Sequence, residues 1–421
     1  PSMIVTGGSM QPGQYCGKTV VEADLDAARF SGASEEELMD MEDNVCPSFG
    51  ACPSMGTANT MQMLGEVLNL VLPGTSTIPA SDNAKLRKAR EAGMCMVEMA
   101  KAGRKPSDLI TKEVLMNAIM FDMAVAGSTN AVLHILSYAY ELGIKLTLAD
   151  FEKYAKEIPC INAVVPSGPY TVVDFHYAGG VMNVMKMLES KLYTDVPSMY
   201  GNTWADMLSR VKAQENKVIH SLEKPLFNEP GLKILRGNLS PNGAIVRPTA
   251  VYDEVKYMKG KAKVFEGDRP AFEAIMAGEI VPGDIIVIRY EGCKGAPGMK
   301  ELMLSIDALI GLGLDKSVGL ISDARFSGFN YGAIIGHVSP EAYDGGNIAL
   351  VENGDEIVID IPNGEVSMLV SEEELERRRA AWVCPPLKEE KGCLNIFAKM
   401  CRPAEEGGAM QPWDLDAKFH R

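Results

Sequence analysis

The stretch Pro225-Leu-Phe-Asn-Glu-Pro230 separates two parts of the sequence that have different patterns. Before it, short apolar segments alternate with long helical patterns, which is typical of a parallel or mixed sheet covered by helices. After it, short β-rich segments recur between Gly and Asn turns, which favours a β-barrel or sandwich. We therefore predict an α/β protein with an α/β/α layered domain over 1–230, a β-barrel-like domain over 231–400 and a C-terminal tail over 401–421.

Periodicity and turn residues predict the individual elements of both parts. In the first part we expect helices over 57–71 and 82–102, two helices within 112–142, and another that begins at Thr147 or Asp150. A charged helix is predicted over Glu372–Arg379. The predicted strands of the two parts are Met3–Val5, Ile161–Val165, Ala244–Val246, Ala262–Phe265, Asp284–Arg289, Val318–Ser322, Ile348–Val351 and Glu356–Ile361.

Composition limits the partners that this chain can have. Its 421 residues carry a formal net charge of −15, which argues against nucleic acid or an anionic membrane as a partner. No apolar segment reaches the roughly 20 residues of a membrane span. The nine cysteines are odd in number and scattered, which does not indicate a disulfide framework. We therefore expect a protein of the cytoplasm or of an organelle matrix.

The segment Cys46-Pro-Ser-Phe-Gly-Ala-Cys52-Pro-Ser-Met-Gly-Thr-Ala-Asn-Thr-Met61 contains two thiols just before a predicted helix. The positive end of a helix favours the thiolate form, which binds soft iron or attacks an electrophile. A buried structural cysteine at a turn is the alternative interpretation.

Three glycine-punctuated segments are further candidates for a site. Gly127-Ser-Thr-Asn130 breaks a helical region, so its side chains and free N–H groups could hold a carboxylate or phosphate, or simply cap a helix. The loop Arg289–Glu301 follows an apolar strand and offers carboxylates to a cation such as Mg²⁺, unless it is an ordinary solvated loop. In Ser322-Asp-Ala-Arg325-Phe-Ser327-Gly328, Arg325 could anchor an anion and stabilise a serine alkoxide.

Taken together, these segments resemble the family of dihydroxy-acid, sugar-acid (aldonate) and phosphogluconate dehydratases. The resemblance extends over nearly the whole chain. The matching blocks are Gly7-Gly8, Cys46–Met61, Leu72–Ala80, Ala126–Ala131, Pro166–Gly168, Tyr177–Gly180, Gly237–Leu239, Arg289–Glu301, Asp323–Gly328 and His337–Ala342. It implies a hydro-lyase that removes water from a 2,3-dihydroxy carboxylic acid and yields the 2-keto acid.

The resemblance also implies cofactors and roles for particular residues. Cys52 matches one of three cysteines that hold an iron–sulfur cluster, for which we favour [2Fe-2S] over [4Fe-4S], and Glu301 matches a Mg²⁺ ligand. Ser327 matches the proton-abstracting base, with Arg325 as its cationic neighbour. We assign substrate binding to Ser128, Thr129 and Asn130, and we expect a homodimer or a dimer of dimers.

Part of the family pattern has no match in this sequence. The other two cluster cysteines, two acidic Mg²⁺ ligands and a modified lysine belong to motifs before the Gly7-Gly8 strand, and residues 1–45 contain none of them. We therefore expect the first domain to be partial, and we expect iron reconstitution of this polypeptide to give no stable cluster. An inactive scaffold or dimerisation partner is the alternative function. The sequence leaves the substrate open between a branched-chain dihydroxy acid and a sugar acid.

Overall fold

The computed structural model describes residues 1–326, 328 and 330–411. Up to residue 230 the chain is mainly helical, and its only two strands in the described range, β1 (Gly13–Tyr15) and β2 (Lys18–Val20), form an antiparallel hairpin. The helices of this part are α1 (Glu22–Phe30), α2 (Glu35–Val45), α3 (Thr57–Val67), α4 (Ala84–Lys101), α5 (Pro106–Leu109), α6 (Lys112–Val125), α7 (Asn130–Glu141), α8 (Leu148–Ala155), α9 (Val172–Tyr177), α10 (Gly180–Met187) and α11 (Trp204–Leu208).

Helix α6 lies at the centre of this helical part. It begins where the Thr111 side chain accepts a hydrogen bond from the Val114 N–H, and it ends at Ala126 in the left-handed conformation. Nearly every side chain from Val114 to Val125 is buried, and α3, α7, α8 and α10 pack around it. A helix that is apolar on all sides is stable only inside a core, so α6 organises the helices that carry the candidate site.

The sheet expected within residues 1–230 does not form among the described residues. The segments Met3–Val5 and Ile161–Val165 are extended, but they contribute isolated bridges, such as that between Ile4 and Val71. Ile4 and Val5 are half-exposed, so this segment buries too little apolar surface to support a ladder of strands. The helices bury their apolar faces against one another instead. That the domain is partial stays a prediction, as do its boundary at residue 230 and the separate tail.

A large mixed sheet forms the second part. Its strands are β3 (Lys233–Leu235), β4 (Gly243–Val246), β5 (Tyr257–Phe265), β6 (Asp284–Ile288), β8 (Gly319–Ser322), β10 (Ile334–Ser339), β11 (Glu356–Asp360) and β12 (Glu365–Met368). They lie in the order β12-β11-β5-β6-β8-β10-β4-β3, with β5, β6, β8 and β10 parallel and the outer pairs antiparallel. A bridge between Arg236 and Glu365 joins the two outer strands, so the sheet nearly closes, as expected for a barrel-like domain.

Short elements and helices surround the sheet. The two-residue strands β7 (Glu301–Leu302) and β9 (Arg325–Phe326) pair with each other, and the helices are α12 (Asp268–Met276), α13 (Leu304–Gly311), α14 (Glu372–Ala381) and α15 (Gly392–Met400). Short 3₁₀ turns occupy 248–250, 253–255, 314–316, 342–344, 347–350 and 404–406. The strand predicted at Ile348–Val351 is therefore wrong, because this apolar segment fills the core as a 3₁₀ turn.

Strand β6 shows why the sheet can be covered on both faces. Ile285 and Val287 lie in the core enclosed by the sheet, whereas Ile286 and Ile288 pack in the cluster with α12 and α13. A strand that is apolar at every position needs burial on both sides, and this one has it. None of the described helices is long and apolar enough to span a membrane.

The two parts of the chain meet at the carboxyl ends of the parallel strands. The loops after β6 and β8 lead to β7 and β9, and α1 of the helical part packs against α13, which directly follows β7. Open ends of parallel strands are a common location for ligand sites, because several loops converge there.

Candidate functional site

Cys52 lies in the loop that leads into helix α3. The side chain of Asn59 holds this loop, since its Nδ2 donates to the Cys52 carbonyl over 2.5 Å and to the Ser54 carbonyl over 2.8 Å. The sulfur of Cys52 is 3.3 Å from the Ser54 hydroxyl. Cys46, in contrast, is exposed at the end of α2. The two cysteines therefore have different surroundings: hydrogen bonds from Asn59 hold the loop of Cys52, whereas Cys46 is exposed.

The protonation expected for Cys52 is not the one that its surroundings favour. Burial, and then the negative charge of Glu22, raise the pKa of the Cys52 thiol to about 11. Without a cation on the sulfur, lost solvation and the nearby carboxylate therefore favour the thiol, and the thiolate form of Cys52 stays a prediction. A cation on the sulfur would reverse this balance.

Glu301 and Arg325 come together although they belong to different loops. Strands β7 and β9 are parallel, and Glu301 lies opposite Arg325 in their register. The Nη1 atom of Arg325 is 3.3 Å from Oε1 of Glu301, and its Nε donates to the Met299 carbonyl over 2.5 Å. The guanidinium is thus held from two sides, with its charge directed at the predicted metal ligand.

The turn Ser128–Asn130 joins Glu301 to the helical part. Asn130 Nδ2 donates to Glu301 Oε1 over 2.5 Å and to the Thr57 hydroxyl over 2.8 Å, and the hydroxyls of Thr57 and Ser128 are 2.8 Å apart. Thr129 is buried at the start of α7, where it makes no side-chain capping bond. All three predicted substrate-binding residues are buried, and the Asn130 contact shows one of them acting on Glu301.

The free N–H groups expected at this turn are occupied. The Ser128 N–H donates to the Thr60 hydroxyl over 3.0 Å, and the Asn130 N–H donates to the Ser128 hydroxyl over 3.1 Å. Through these bonds, the chain itself provides hydrogen-bond acceptors for N–H groups at the start of α7. Anion binding by these two groups would require that the chain's own bonds be broken.

A cavity of about 210 Å³ brings Cys52 and Glu301 to one place. It lies where the cysteine loop, the start of α3, the start of α1 and the β7–α13 segment meet. The lining residues are Val21, Glu22, Ala23, Asp26, Cys52, Ser54, Gly56, Thr57, Ala58, Glu301, Met303, Asp307 and Gly328. Arg325 and the Ser128–Asn130 turn contact Glu301 without lining the cavity themselves.

Ser327, the predicted base, lies outside the described residues. Arg325 before it and Gly328 after it are described, and Gly328 lines the cavity that holds Cys52 and Glu301. A side chain added at Gly328 would meet the Gly56 backbone at 2.5 Å, so this segment runs close against the start of α3. The role of Ser327 stays a prediction.

Sequence reasoning missed three carboxyl groups of the cavity. Glu22 and Asp26 lie on α1, and Asp307 lies on α13, which packs against α1. Burial, and then the charges of Asp26 and Asp268, raise the pKa of Asp307 to about 7. No motif distinguishes these residues, because acidic side chains on helices are ordinarily solvated. Only the packing of α1 against α13 places them at the cavity.

The side chains that line the cavity can be compared with the ligands that the expected cofactors require. Cys52 is a soft donor and Glu301 a hard one, so each suits one ligand position, for iron and for Mg²⁺ respectively. Within residues 1–326, 328 and 330–411, no group of three or more His, Cys, Asp or Glu side chains is arranged to hold a metal ion. The described part of the chain therefore offers single candidate ligands and not a complete set.

Comparisons with known proteins place the chain in a family. Residues 1–207 match the N-terminal domain, and residues 217–408 the C-terminal domain, of dihydroxy-acid/6-phosphogluconate dehydratases. Similar curated proteins include dihydroxy-acid dehydratases of Clostridium novyi, which is 42% identical, and of Methanococcus aeolicus, which is 41% identical. Each alignment covers 98% of this chain and 76% of the relative.

A third relative, the dihydroxy-acid dehydratase of a Synechococcus strain, is 43% identical over 98% of this chain and 75% of its own length. Such identity over almost the whole chain, together with both family models, establishes the relationship. The chain belongs to the dihydroxy-acid/6-phosphogluconate dehydratase family and is a hydro-lyase.

Proposed function

We propose that this protein removes water from a 2,3-dihydroxy carboxylic acid and releases the 2-keto acid, at the cavity lined by Cys52, Glu301 and Gly328. The observation that carries the proposal is that one cavity holds a soft donor, a carboxylate and the end of the Ser327 loop. Membership of a dehydratase family gives the reaction class. An inactive scaffold would have no need to keep these groups together.

In this proposal, a side chain of the protein itself removes the proton from the substrate. Ser327 takes the proton from C2, hydroxide departs from C3, and the resulting enol becomes the 2-keto acid. Serine is a weak base in water, so it needs nearby positive charge, which Arg325 can supply from two residues away. Met299 and Glu301 hold that guanidinium in place.

We further propose that Cys52 provides one ligand to an iron–sulfur cluster, with [2Fe-2S] favoured, and Glu301 one ligand to Mg²⁺. When bound, the two groups would supply Lewis acidity toward the departing hydroxyl and toward the substrate carboxylate. Asn130 and Arg325 both contact Oε1 of Glu301. This arrangement supports a role for Oε2 as the metal-binding oxygen.

A branched-chain dihydroxy acid is the first candidate substrate, because the relatives are named dihydroxy-acid dehydratases. A sugar acid is the second. The cavity supports it through the hydroxyls of Ser54 and Thr57 and the carboxyl groups of Glu22, Asp26 and Asp307, which can bond to additional substrate hydroxyls.

The test is a substrate screen on the protein expressed from its complete gene and purified without oxygen. We expect release of a 2-keto acid from one of the two substrate classes, loss of the iron–sulfur absorbance and of turnover in Cys52→Ser, and retention of both in Cys46→Ser. Ser327→Ala should bind substrate but turn it over at least 100-fold more slowly. Absence of keto acid with both classes would overturn the proposed reaction, and full turnover by Ser327→Ala would overturn the base assignment.

We also propose a homodimer or a dimer of dimers in the cytoplasm or an organelle matrix. Light scattering of the purified protein tests the first part, and cell fractionation tests the second. A monomer, or recovery with a membrane fraction, would contradict the respective part.

A further inference from the structure

Arg247 is a buried arginine that bonds to the backbone of three other segments. It follows strand β4, and its side chain is almost fully buried. Its Nη1 donates to the Gly328 carbonyl over 2.6 Å, and its Nη2 donates to the Gly127 carbonyl over 2.7 Å and to the Met55 carbonyl over 3.4 Å. One planar guanidinium thus bonds to three separate segments, which suits its fixed fork of donors.

Each of these carbonyls lies within three residues of a proposed site residue in the sequence. Met55 is in the loop of Cys52, Gly127 directly precedes the Ser128–Asn130 turn, and Gly328 directly follows Ser327. The segments at Met55 and Gly127 belong to the helical part, whereas Arg247 and Gly328 belong to the part built on the large sheet. A single side chain therefore fixes the distances between loops from both parts of the chain.

A buried carboxyl group on α6, that of Asp122, lies against the same turn. Burial raises the pKa of Asp122 well above its ordinary value, which favours the neutral carboxyl. Asp122 is fully buried, and a side chain added at Gly127 would meet its Oδ1 at 1.8 Å, so Asp122 lies directly against the turn that Arg247 bonds. Within the described residues, both carboxyl oxygens of Asp122 and the Nε of Arg247 lack a hydrogen-bond partner. Burial lowers the pKa of Arg247 to about 10, so the side chain keeps its charge at neutral pH.

A buried cation of this kind is costly and contributes nothing to solubility, so its bonds must account for its presence. A chain that only needed to fill this space could do so with an apolar side chain. The three carbonyls are not joined to one another by a strand ladder, and the guanidinium supplies the link that secondary structure does not.

We propose that Arg247 is a positioning residue of the dehydratase site, which holds the Cys52 loop, the Ser128–Asn130 turn and the backbone at Gly328 at fixed distances without contacting substrate. This inference rests on the proposed function for the identity of the reaction, and on the observed hydrogen bonds for the positioning itself.

Arg247→Lys is the informative variant, because it keeps the charge but has a single ammonium in place of the two Nη groups that bond the three carbonyls. Arg378→Lys is the matched control: Arg378 is also largely buried and bonds to the Leu350 carbonyl and to Asp355, none of which lines the site cavity. Both variants are made in the protein expressed from its complete gene. Steady-state kinetics and hydrogen–deuterium exchange of the folded protein are measured for each.

For Arg247→Lys we expect kcat to fall at least tenfold while KM changes less than threefold, with faster amide exchange in peptides that cover 52–60, 126–131 and 323–330. Arg378→Lys should keep kcat within about twofold, with faster exchange only near 350–355. Unchanged kcat and unchanged exchange in Arg247→Lys would overturn the proposal. So would exchange that rises evenly over the whole chain, because that result would show only general destabilisation.

The exchange measurement separates this inference from the proposed function. If the wild-type protein released no keto acid while Arg247→Lys still loosened those three loops alone, the positioning would stand and the proposed reaction would fail. If the wild-type protein were active and Arg247→Lys changed neither kcat nor the amide exchange of the three loops, the proposed reaction would stand and the positioning role would fail.

Discussion

The side-chain nitrogen of Asn130 lies 2.5 Å from the carboxylate oxygen of Glu301, although 171 residues separate them in the chain. Asn130 begins a helix of the helical part, and Glu301 begins the short strand after the loop that leaves the large sheet. This one hydrogen bond therefore fixes a predicted metal ligand against the opposite part of the molecule. Charge-assisted bonds of this kind are stronger than neutral ones, so its loss should be measurable.

Replacement of the Asn130 amide tests this connection. Asn130→Asp would place two carboxyl groups within bonding distance, so we expect the free energy of unfolding to fall by about 1–3 kcal/mol and turnover to fall at least tenfold. Asn242→Asp is the control, because Asn242 also bonds a glutamate, Glu405, but at an exposed site. Its effect should stay below about 0.5 kcal/mol. Urea unfolding and keto-acid release measure both, and an Asn130→Asp protein with wild-type values would contradict the predicted coupling.

Arg325 should not tolerate lysine. Its Nε and Nη1 bond two different partners, Met299 and Glu301, and a single ammonium cannot reach both in the same geometry. We expect Arg325→Lys to lower kcat/KM by about 100-fold, or about 2.7 kcal/mol of transition-state stabilisation. Arg236→Lys, which changes the partly exposed bonds to Glu152 and to the Pro241 carbonyl, should leave kcat/KM within twofold. Equal kinetics for the two variants would remove Arg325 from the site.

Two glycine substitutions should have opposite effects on stability. At Gly328 an added methyl group would meet the Gly56 backbone at 2.5 Å, so Gly328→Ala must displace the main chain beside the cavity. We expect a loss of about 1–3 kcal/mol and a large loss of turnover. Gly93, in the middle of α4, has no atom within 4 Å of the added group, so Gly93→Ala should gain about 0.5–1 kcal/mol from helix propensity. Thermal unfolding compares them, and a stable, active Gly328→Ala protein would show that the two loops are not in contact.

Glu341 should make stability depend on pH. Burial and the neighbouring Asp323 raise its pKa to about 8, although the N–H groups of Lys294 and Gly295 donate to it. The folded protein then holds a proton that the unfolded chain releases above about pH 4.3, so this group reduces stability as pH rises toward 8. Below about pH 4.3 both states hold the proton and the contribution is constant.

Glu341→Gln, which mimics the protonated group, should therefore become more stable relative to the wild type between pH 5 and pH 8, by about 3–4 kcal/mol. Urea unfolding at the two pH values measures this change. Glu356→Gln serves as the control at an exposed strand position and should follow the wild-type dependence. If the Glu341→Gln and wild-type curves run parallel, Glu341 is ionised throughout.

Much of the local structure could be predicted from the sequence, because it depends on local signals. The strand predicted at Asp284–Arg289 is β6, which ends one residue earlier, and α8 begins directly after Thr147, one of the two predicted starts. The break at Gly127 between two helices is confirmed by α6 and α7. Where the predictions failed, as at Ile348–Val351, apolar content alone did not distinguish a strand from a 3₁₀ turn in the core.

Individual residues of the candidate site could be predicted from the sequence, but their arrangement in space could not. The family resemblance points to Cys52 and Glu301, and the structure places both on one cavity. Nothing local indicates that Asn130 would bond Glu301, or that Arg247 would bond three distant carbonyls, because each contact depends on how the two parts of the chain meet. The raised pKa of Cys52 likewise comes from burial and from Glu22, which no spacing reveals.

The bridge between Arg236 and Glu365 has a consequence for self-association. Because it joins β3 to β12, the large sheet presents no long unpaired edge within the described residues. A second copy cannot extend this sheet by adding a strand, and aggregation through strand pairing is hindered for the same reason. A dimer would therefore form through surfaces other than the edges of this sheet. Substitutions at the surface could then change the affinity between the two copies without changing the backbone of the barrel.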